Sequence, residues 1–294
     1  MEAIPREAAD ALSLKVRLRF LPVSKRQYFN LKNSFSRIWL GNPSLVIYIN
    51  HATFLKHNRK IRFPTRLYIT HFDEDSLISK EDMWKFRKIE KFLVQNSQVK
   101  SYLVNLGIDA NRIEVIFGAV SGDTFFPSTD LAGVKLNQVL IVGDCKPRKN
   151  PELVEETIWR NPNLDFVIHG KNWERYTDLT NRPPANLKIV DFDISNHPRL
   201  IRESAALLSL AKIEGGPYPI LEALASGTPV IATSTGFAQD LLHDANGVLL
   251  PLSPSGDEIS DALMRGINLK KSVSGLDMTN GEFSWEALGR KLYK

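Results

Sequence analysis

The segment Glu214–Thr233, EGGPYPILEALASGTPVIAT, sets two glutamates, Glu214 and Glu222, eight positions apart around a Gly-Gly turn and the start of a helix. Pro219 suits a first helical position, where a missing N–H costs nothing, and Gly227 suits the stop. Such a helix aims its unsatisfied N–H groups at the loop 214–218, a ready place for a phosphate. A carboxylate on each side of a phosphate cradle can grip what hangs from the two ends of a nucleotide diphosphate, a sugar and a ribose. The helix dipole alone also favours a glutamate in the first turn, as Glu222 is. The Gly-Gly turn, the helix and the Gly-Thr-Pro before a Val-Ile-Ala strand lift the segment above that background.

The pattern resembles the E-x7-E signature of retaining GT-B glycosyltransferases, in particular the large family 4, and the likeness runs on through ALASGTPVIAT. Ser97–Pro127, SQVKSYLVNLGIDANRIEVIFGAVSGDTFFP, is similar to the stretch that closes the family's first domain. VLIVGDCKPRKNPELV, with Gly143 and the pair Arg148-Lys149, resembles the strand, glycine and basic loop that open the second. FSWEALGRKLYK resembles the last helix, which crosses back onto the first domain. The similarity covers residues 90–294 well and 1–90 poorly. Three departures stand out: no glycine precedes Gly41, where the family has a Gly-rich loop after its first strand; the first domain is short; and Asp144 stands where the family often has Arg.

The resemblance implies a role for each matching residue. Glu222 accepts hydrogen bonds from the ribose hydroxyls of the donor nucleotide. Glu214 contacts the donor sugar and stabilises positive charge near its anomeric carbon. The stretch Gly215, Gly216, Pro217, Tyr218, Ile220 and Leu221 lines the donor site, with backbone N–H groups from Gly216 to Leu221 on sugar and phosphate oxygens. Gly143 belongs to the first glycine loop, and His169-Gly170 to the second, lining the nucleotide pocket. His71, at the carboxyl end of an apolar strand, stands where the family places a histidine near the donor sugar. Retaining transfer in this fold needs positive charge on the departing diphosphate more than a protein nucleophile. Arg148 and Lys149, on a loop after a strand end, supply two cations, and the helix at Pro219 adds its dipole. Together they replace a metal ion, so neither a metal site nor a cofactor beyond the nucleotide-diphosphate sugar is expected.

These residues need a scaffold that brings several strand ends together. Apolar runs at Val139–Val142, Leu164–Ile168, Leu187–Val190, Ala205–Leu210, Val230–Ala232 and Val248–Leu250 read as buried parallel strands with helices between. One helix opens at Asn150-Pro151-Glu152. This alternation implies a doubly wound α/β domain with ligands at the carboxyl ends of its strands. The first half alternates less regularly: strands at Val16–Leu21, Leu45–Ile49, Leu67–Thr70, Phe92–Gln95 and Ile113–Phe117, and helices over Lys80–Glu90 and Ser97–Leu106. Ser97 is the expected cap of the latter, and Gly107 its stop. The expected fold is α/β, GT-B, two Rossmann-like domains facing a central cleft with the first reduced. The domains are 1–127 on the acceptor side, 128–275 for the nucleotide sugar, and 276–294 as the helix that crosses back.

Composition narrows the classes. At 294 residues, with 43% hydrophobic and 24% charged residues, the chain suits two soluble globular domains. No apolar run reaches the ~18–20 residues that span a bilayer. MEAIPREAADAL lacks the apolar core of a secretory signal. The single Cys145 excludes an intrachain disulfide and fits the cytoplasm. A net charge of +5 favours anionic ligands or an anionic membrane face, and no recognition motif points to nucleic acid. The basic loop 56–62, KHNRKIR, is a candidate contact for an anionic or lipid-linked acceptor on the cytoplasmic face of a membrane.

The expectation is therefore a retaining, metal-independent hexosyltransferase. It moves a sugar from a nucleotide-diphosphate donor to a glycan, lipid-linked or small-molecule acceptor, in carbohydrate biosynthesis. Its rival is a non-catalytic nucleotide-sugar-binding protein or partner subunit, which the glycine-poor start favours. A sugar-nucleotide epimerase on the same fold is a weaker third, since those enzymes lack the Glu-Gly-Gly segment. Asp73-Glu74-Asp75 after an apolar strand is the D-x-D pattern of metal-dependent GT-A enzymes. Asp191-Phe192-Asp193 repeats it, however, and GT-A offers no account of a second α/β half carrying the glutamate pair.

Overall fold

The computed structural model describes residues 45–51, 54–55, 64–70, 78–128, 133–179, 181–270 and 282–293. The strand expected at 16–21, His71, Asp73–Asp75 and the basic loop 56–62 lie outside these residues.

Two parallel sheets carry the chain. The first has the order β1-β2-β3-β4, formed by Val46–Ile49, Thr65–Ile69, Lys91–Val94 and Ile113–Val115. Its core packs Leu67, Ile69, Phe92 and Val94 against Phe54, Phe86 and Leu103. Lys80–Lys88 winds as a 3-10 helix rather than an α-helix. Helix α1, Ser97–Asn105, is capped by Asn96, whose side chain accepts from the Val99 N–H; Ser97, the expected cap, is its first residue. Gly107 follows at φ +93°, a left-handed value that stops a helix at little cost for glycine.

The second sheet comprises β5 (Lys135–Val142), β6 (Asp165–His169), β7 (Leu187–Val190), β8 (Ser204–Ser209), β9 (Val230–Thr233) and β10 (Gly247–Leu250). Its order is β10-β9-β8-β5-β6-β7, all parallel. The chain runs outward from β5 through β6 to β7, then returns to the other side of β5 for β8. The strand order therefore reverses between β5 and β8, the switch point where doubly wound sheets open a crevice at their carboxyl ends. Helices α2 (Pro151–Arg160), α3 (His197–Glu203), α4 (Tyr218–Ala225) and α5 (Ala238–Leu241) lie in crossovers between strands, and α6 (Gly256–Leu269) follows β10. Two cores flank this sheet: Ile141, Ile158, Ile168 and Leu263 belong to one, and Leu140, Leu207, Leu221 and Phe237 to the other. Burial on both faces explains why the strands read as continuous apolar runs.

The final helix α7, Trp285–Tyr293, packs on the first sheet, with Leu288 and Leu292 against Tyr68, Leu93 and Ile116. Arg66 Nη1 donates to the Leu292 carbonyl at 2.7 Å, tying strand β2 to that helix. No helix among the described residues is long and apolar enough to cross a membrane.

Candidate active site

The loop after β5 turns at Gly143, φ +121°, then at a short 3-10 turn Pro147–Lys149, then at left-handed Asn150 before Pro151 opens α2. This path lays Arg148 and Lys149 beside the loop that follows β8, where the Lys212 N–H donates to the Arg148 carbonyl at 2.8 Å. Both cations close on one carboxylate. Arg148 Nη1 lies 2.6 Å from Glu214 Oε2, and Lys149 Nζ 2.6 Å from Glu214 Oε1. The Glu214 side chain is only 7% exposed. Burial alone pushes its carboxyl upward, but Lys149 and Arg148 outweigh that and hold it below the usual carboxylate range.

A cavity of about 320 Å³ opens over this triad. Gly143, Asp144, Arg148, Lys149, Glu214, Gly215, Gly216, Pro217 and Pro219 line it, and so do Thr70 and Lys146, which sequence reasoning did not single out. Thr70 comes from the carboxyl end of β2, so strand ends of both sheets meet here. Asp144, in the place where the family often has Arg, accepts from the Lys171 N–H at 3.0 Å and so joins the two glycine loops.

Helix α4 differs in detail from expectation. It begins at Tyr218 with Pro217 as cap and Pro219 second. Pro217 and Pro219 carry no N–H, and Ile220 donates its own to the Pro217 carbonyl at 3.0 Å. The anion cradle expected across Gly216–Leu221 is thereby narrowed toward the glycine end. A Cβ on Gly216 would come within 2.4 Å of Gln95 Oε1 and 2.6 Å of a Phe237 ring carbon, so only glycine allows this close approach. The α4 residues Ile220, Leu221, Ala223, Leu224 and Ala225 are buried, leaving Glu222 as the helix's one charged position.

Glu222 and His169 do not line the cavity. The His169 ring is wholly buried, not pocket-lining as expected; it stacks on Phe192 at 4.7 Å and meets His197. His197 in turn reaches Glu222 Oε2 at 2.9 Å. Gly170 serves close packing: a Cβ there would sit 2.1 Å from the Gly143 carbonyl oxygen. The side chains of Asp191 and Asp193 also lie apart in their partners, Lys171 for the first and Ser195 for the second. Among the described residues no group of three or more His, Cys, Asp or Glu is placed to hold a metal ion.

Contacts from the first sheet hold the glutamate loop. The Asn96 side-chain amide donates to the Gly215 carbonyl. The Ser97 N–H donates to Asp240 Oδ2 at 2.8 Å, so a carboxylate from the second sheet's side sits at the N-terminus of α1. Gln98 Nε2 donates to the Ser234 carbonyl at 3.2 Å. Asn96 was legible in principle, as a polar residue just past the carboxyl end of an apolar strand. His197 carried no local signal.

The fold and site can be set beside known proteins. A glycosyltransferase from Rickettsia africae superposes with a TM-score of 0.74 at 16% identity, covering 99% of this chain and 92% of that one. Sucrose-phosphate synthase from Thermosynechococcus elongatus gives 0.71 at 14% identity, covering 94% and 79%. Anabaena HepE, in complex with UDP and glucose, gives 0.69 at 14% identity, covering 85% and 76%. These likenesses show the GT-B fold. No curated protein sequence matches the chain. The family model described as glycosyl transferases group 1 matches residues 128–276, just over half of the chain and all of the second sheet. The protein therefore belongs to the glycosyl transferases group 1 family.

Proposed function

We propose that the protein transfers a hexosyl group, with retention and without a metal ion, from a nucleotide-diphosphate donor to a carbohydrate or lipid-linked acceptor. In this reading residues 128–275 bind the donor, 1–127 face the acceptor, and 276–294 tie the second part back to the first. The observation that carries it is the convergence of Arg148, Lys149 and the buried Glu214 at a cavity on the strand-order switch point. A diphosphate leaving group gains negative charge as the glycosidic bond breaks, and fixed cations in a half-dry site stabilise that charge without reorganising. With retention at the front face, the leaving phosphate oxygen takes the acceptor's proton. Glu214 both holds the two cations in place and offers negative charge near the developing oxocarbenium centre. Glu222 serves the ribose. HepE, on the same fold, holds UDP and glucose.

Thermal-shift screening against nucleotide sugars comes first, because a ligand at ~100-fold its dissociation constant stabilises by about 2.7 kcal/mol. With a donor in hand, turnover should survive excess EDTA, and Lys149→Ala should lower kcat about 10²–10³-fold. Activity abolished by EDTA and restored by manganese would overturn the metal-free reading. Donors that bind but are neither transferred nor hydrolysed would instead favour a binding subunit.

A further inference from the structure

His169, His197 and Glu222 form a chain of hydrogen bonds outside the cavity. The Asp193 backbone N–H donates to His169 Nε2 at 2.9 Å. His169 Nδ1 lies 3.1 Å from His197 Nδ1, and His197 Nε2 lies 2.9 Å from Glu222 Oε2. The donor in each step follows by elimination. A backbone amide can only donate, so His169 Nε2 carries no proton. A ring bare at one nitrogen carries its proton on the other, so His169 Nδ1–H donates to His197 Nδ1. His197 Nδ1 is then bare, its proton sits on Nε2, and that N–H donates to Glu222. Protonating either ring fully would set two N–H groups against each other or against the amide. Both histidines are therefore neutral, each in one tautomer.

The surroundings fit neutral rings. His169 is fully buried and His197 is 3% exposed. Phe125 and Phe192 close on the His197 ring at 6.0 and 5.1 Å between centroids. Burial first, then the neighbouring His197, lowers the His169 pKa below the ordinary imidazole value, against weaker raising by Asp193 and by the Asp191 backbone. Glu222 Oε2 is held by this rigid pair, and the Glu222 side chain keeps 17% of its surface exposed.

We propose that His197 is a positioning residue for nucleotide recognition: its Nε2–H fixes the Glu222 carboxylate so that Oε1 is presented to a ribose hydroxyl. A glutamate otherwise loses rotamer freedom when it binds, and a carboxylate ordered in advance does not. The inference rests on the reading of Glu222 as the ribose acceptor.

Two measurements test it separately from that reading. Nitrogen-15 NMR of labelled histidines at neutral pH should show His197 protonated at Nε2 alone and His169 at Nδ1 alone. The opposite tautomer at His197, or an imidazolium at either, overturns the relay whatever the ligand. Calorimetry then compares UDP, ADP and GDP with their 2′-deoxy and 3′-deoxy counterparts. The wild type should prefer a ribonucleotide by about tenfold or more, as for a hydrogen bond to a charged group. Glu222→Ala should abolish that preference, and His197→Phe should lower it about fivefold or more. His197→Gln, which restores a donor near the Nε2 position, should keep the preference within about twofold of wild type. The ratio within one variant is insensitive to a general loss of folded protein. Preference lost in Glu222→Ala but kept in His197→Phe overturns the positioning role. Preference kept in Glu222→Ala, or no binding by any of the three nucleotides, overturns the ribose reading and the inference with it.

Discussion

Glu214→Ala is the most informative single substitution. The carboxylate is the shared counter-ion of Arg148 and Lys149, 2.6 Å from each. Breaking a fully buried ion pair costs about 3–5 kcal/mol, most of it the charge left without a partner. Here the stranded groups are the cations, and Arg148 and Lys149 keep 25% and 18% of their side-chain surface in contact with solvent. Water can answer part of their charge, so the expected loss is about 2–3 kcal/mol. At roughly 2–4 °C per kcal/mol for a chain of this order of size, the melting temperature should fall by about 4–12 °C. The same change should strengthen anion binding. One unit of charge about 4 Å away at an effective dielectric near 20 is worth about 4 kcal/mol, and a diphosphate now meets two cations without a competing carboxylate. Even a third of that figure is about tenfold in affinity. Inorganic pyrophosphate should thus bind Glu214→Ala about tenfold more tightly and recover much of the lost melting temperature, while turnover falls about 10²-fold. Glu214→Gln, which keeps the shape but not the charge, should lie between. Differential scanning and isothermal titration calorimetry read both effects. An unchanged melting temperature, or pyrophosphate binding weakened in step with turnover, would refute the counter-ion argument.

Other perturbations probe the frame around the triad. Gly170→Ala would drive a Cβ to within 2.1 Å of the Gly143 carbonyl, backbone against backbone, and should cost about 3 kcal/mol or more in urea denaturation. A near-neutral result would show that the two glycine loops separate easily. Asp240→Ala removes the carboxylate that accepts from the Ser97 N–H, and should cost about 1 kcal/mol, the ordinary value of a helix cap. Stability should also fall with acid in two steps. His169, lowered below 6.5, contributes stability that is complete above pH 6.5 and is lost as pH falls through its folded pKa. Glu214, lowered below 4.5, contributes stability complete above pH 4.5 and lost on further acidification. The groups facing His169 are His197, Asp193 and, through His197, Glu222, so denaturation of His169→Gln between pH 7.5 and 5.5 should show a shallower slope than wild type. Equal slopes would remove His169 as the titrating group.

Much of the second sheet was legible in the sequence, and the reason is local. A parallel strand covered on both faces is apolar along its length, so Val139–Val142 and Val230–Thr233 announce themselves wherever the chain goes. Gly107 and Gly143 mark left-handed turns for a similarly local reason. Capping was harder, because Asn96 and Ser97 are adjacent and both suit a helix start; a carboxylate from Asp240 engages Ser97 and leaves Asn96 to cap. The candidate site divides in the same way. Arg148, Lys149, Glu214 and the two glycines after it stood out as polar or flexible residues just beyond strand ends, which is where a doubly wound sheet gathers its ligands. That Glu214 is ion-paired to both cations, that Asn96 reaches Gly215, and that His197 holds Glu222 could be learned only from the folded chain. Periodicity and turn chemistry act over a few residues and leave a mark in the sequence. A side chain's partner across a sheet or a crossover is decided by how whole elements pack, and no short-range pattern encodes it.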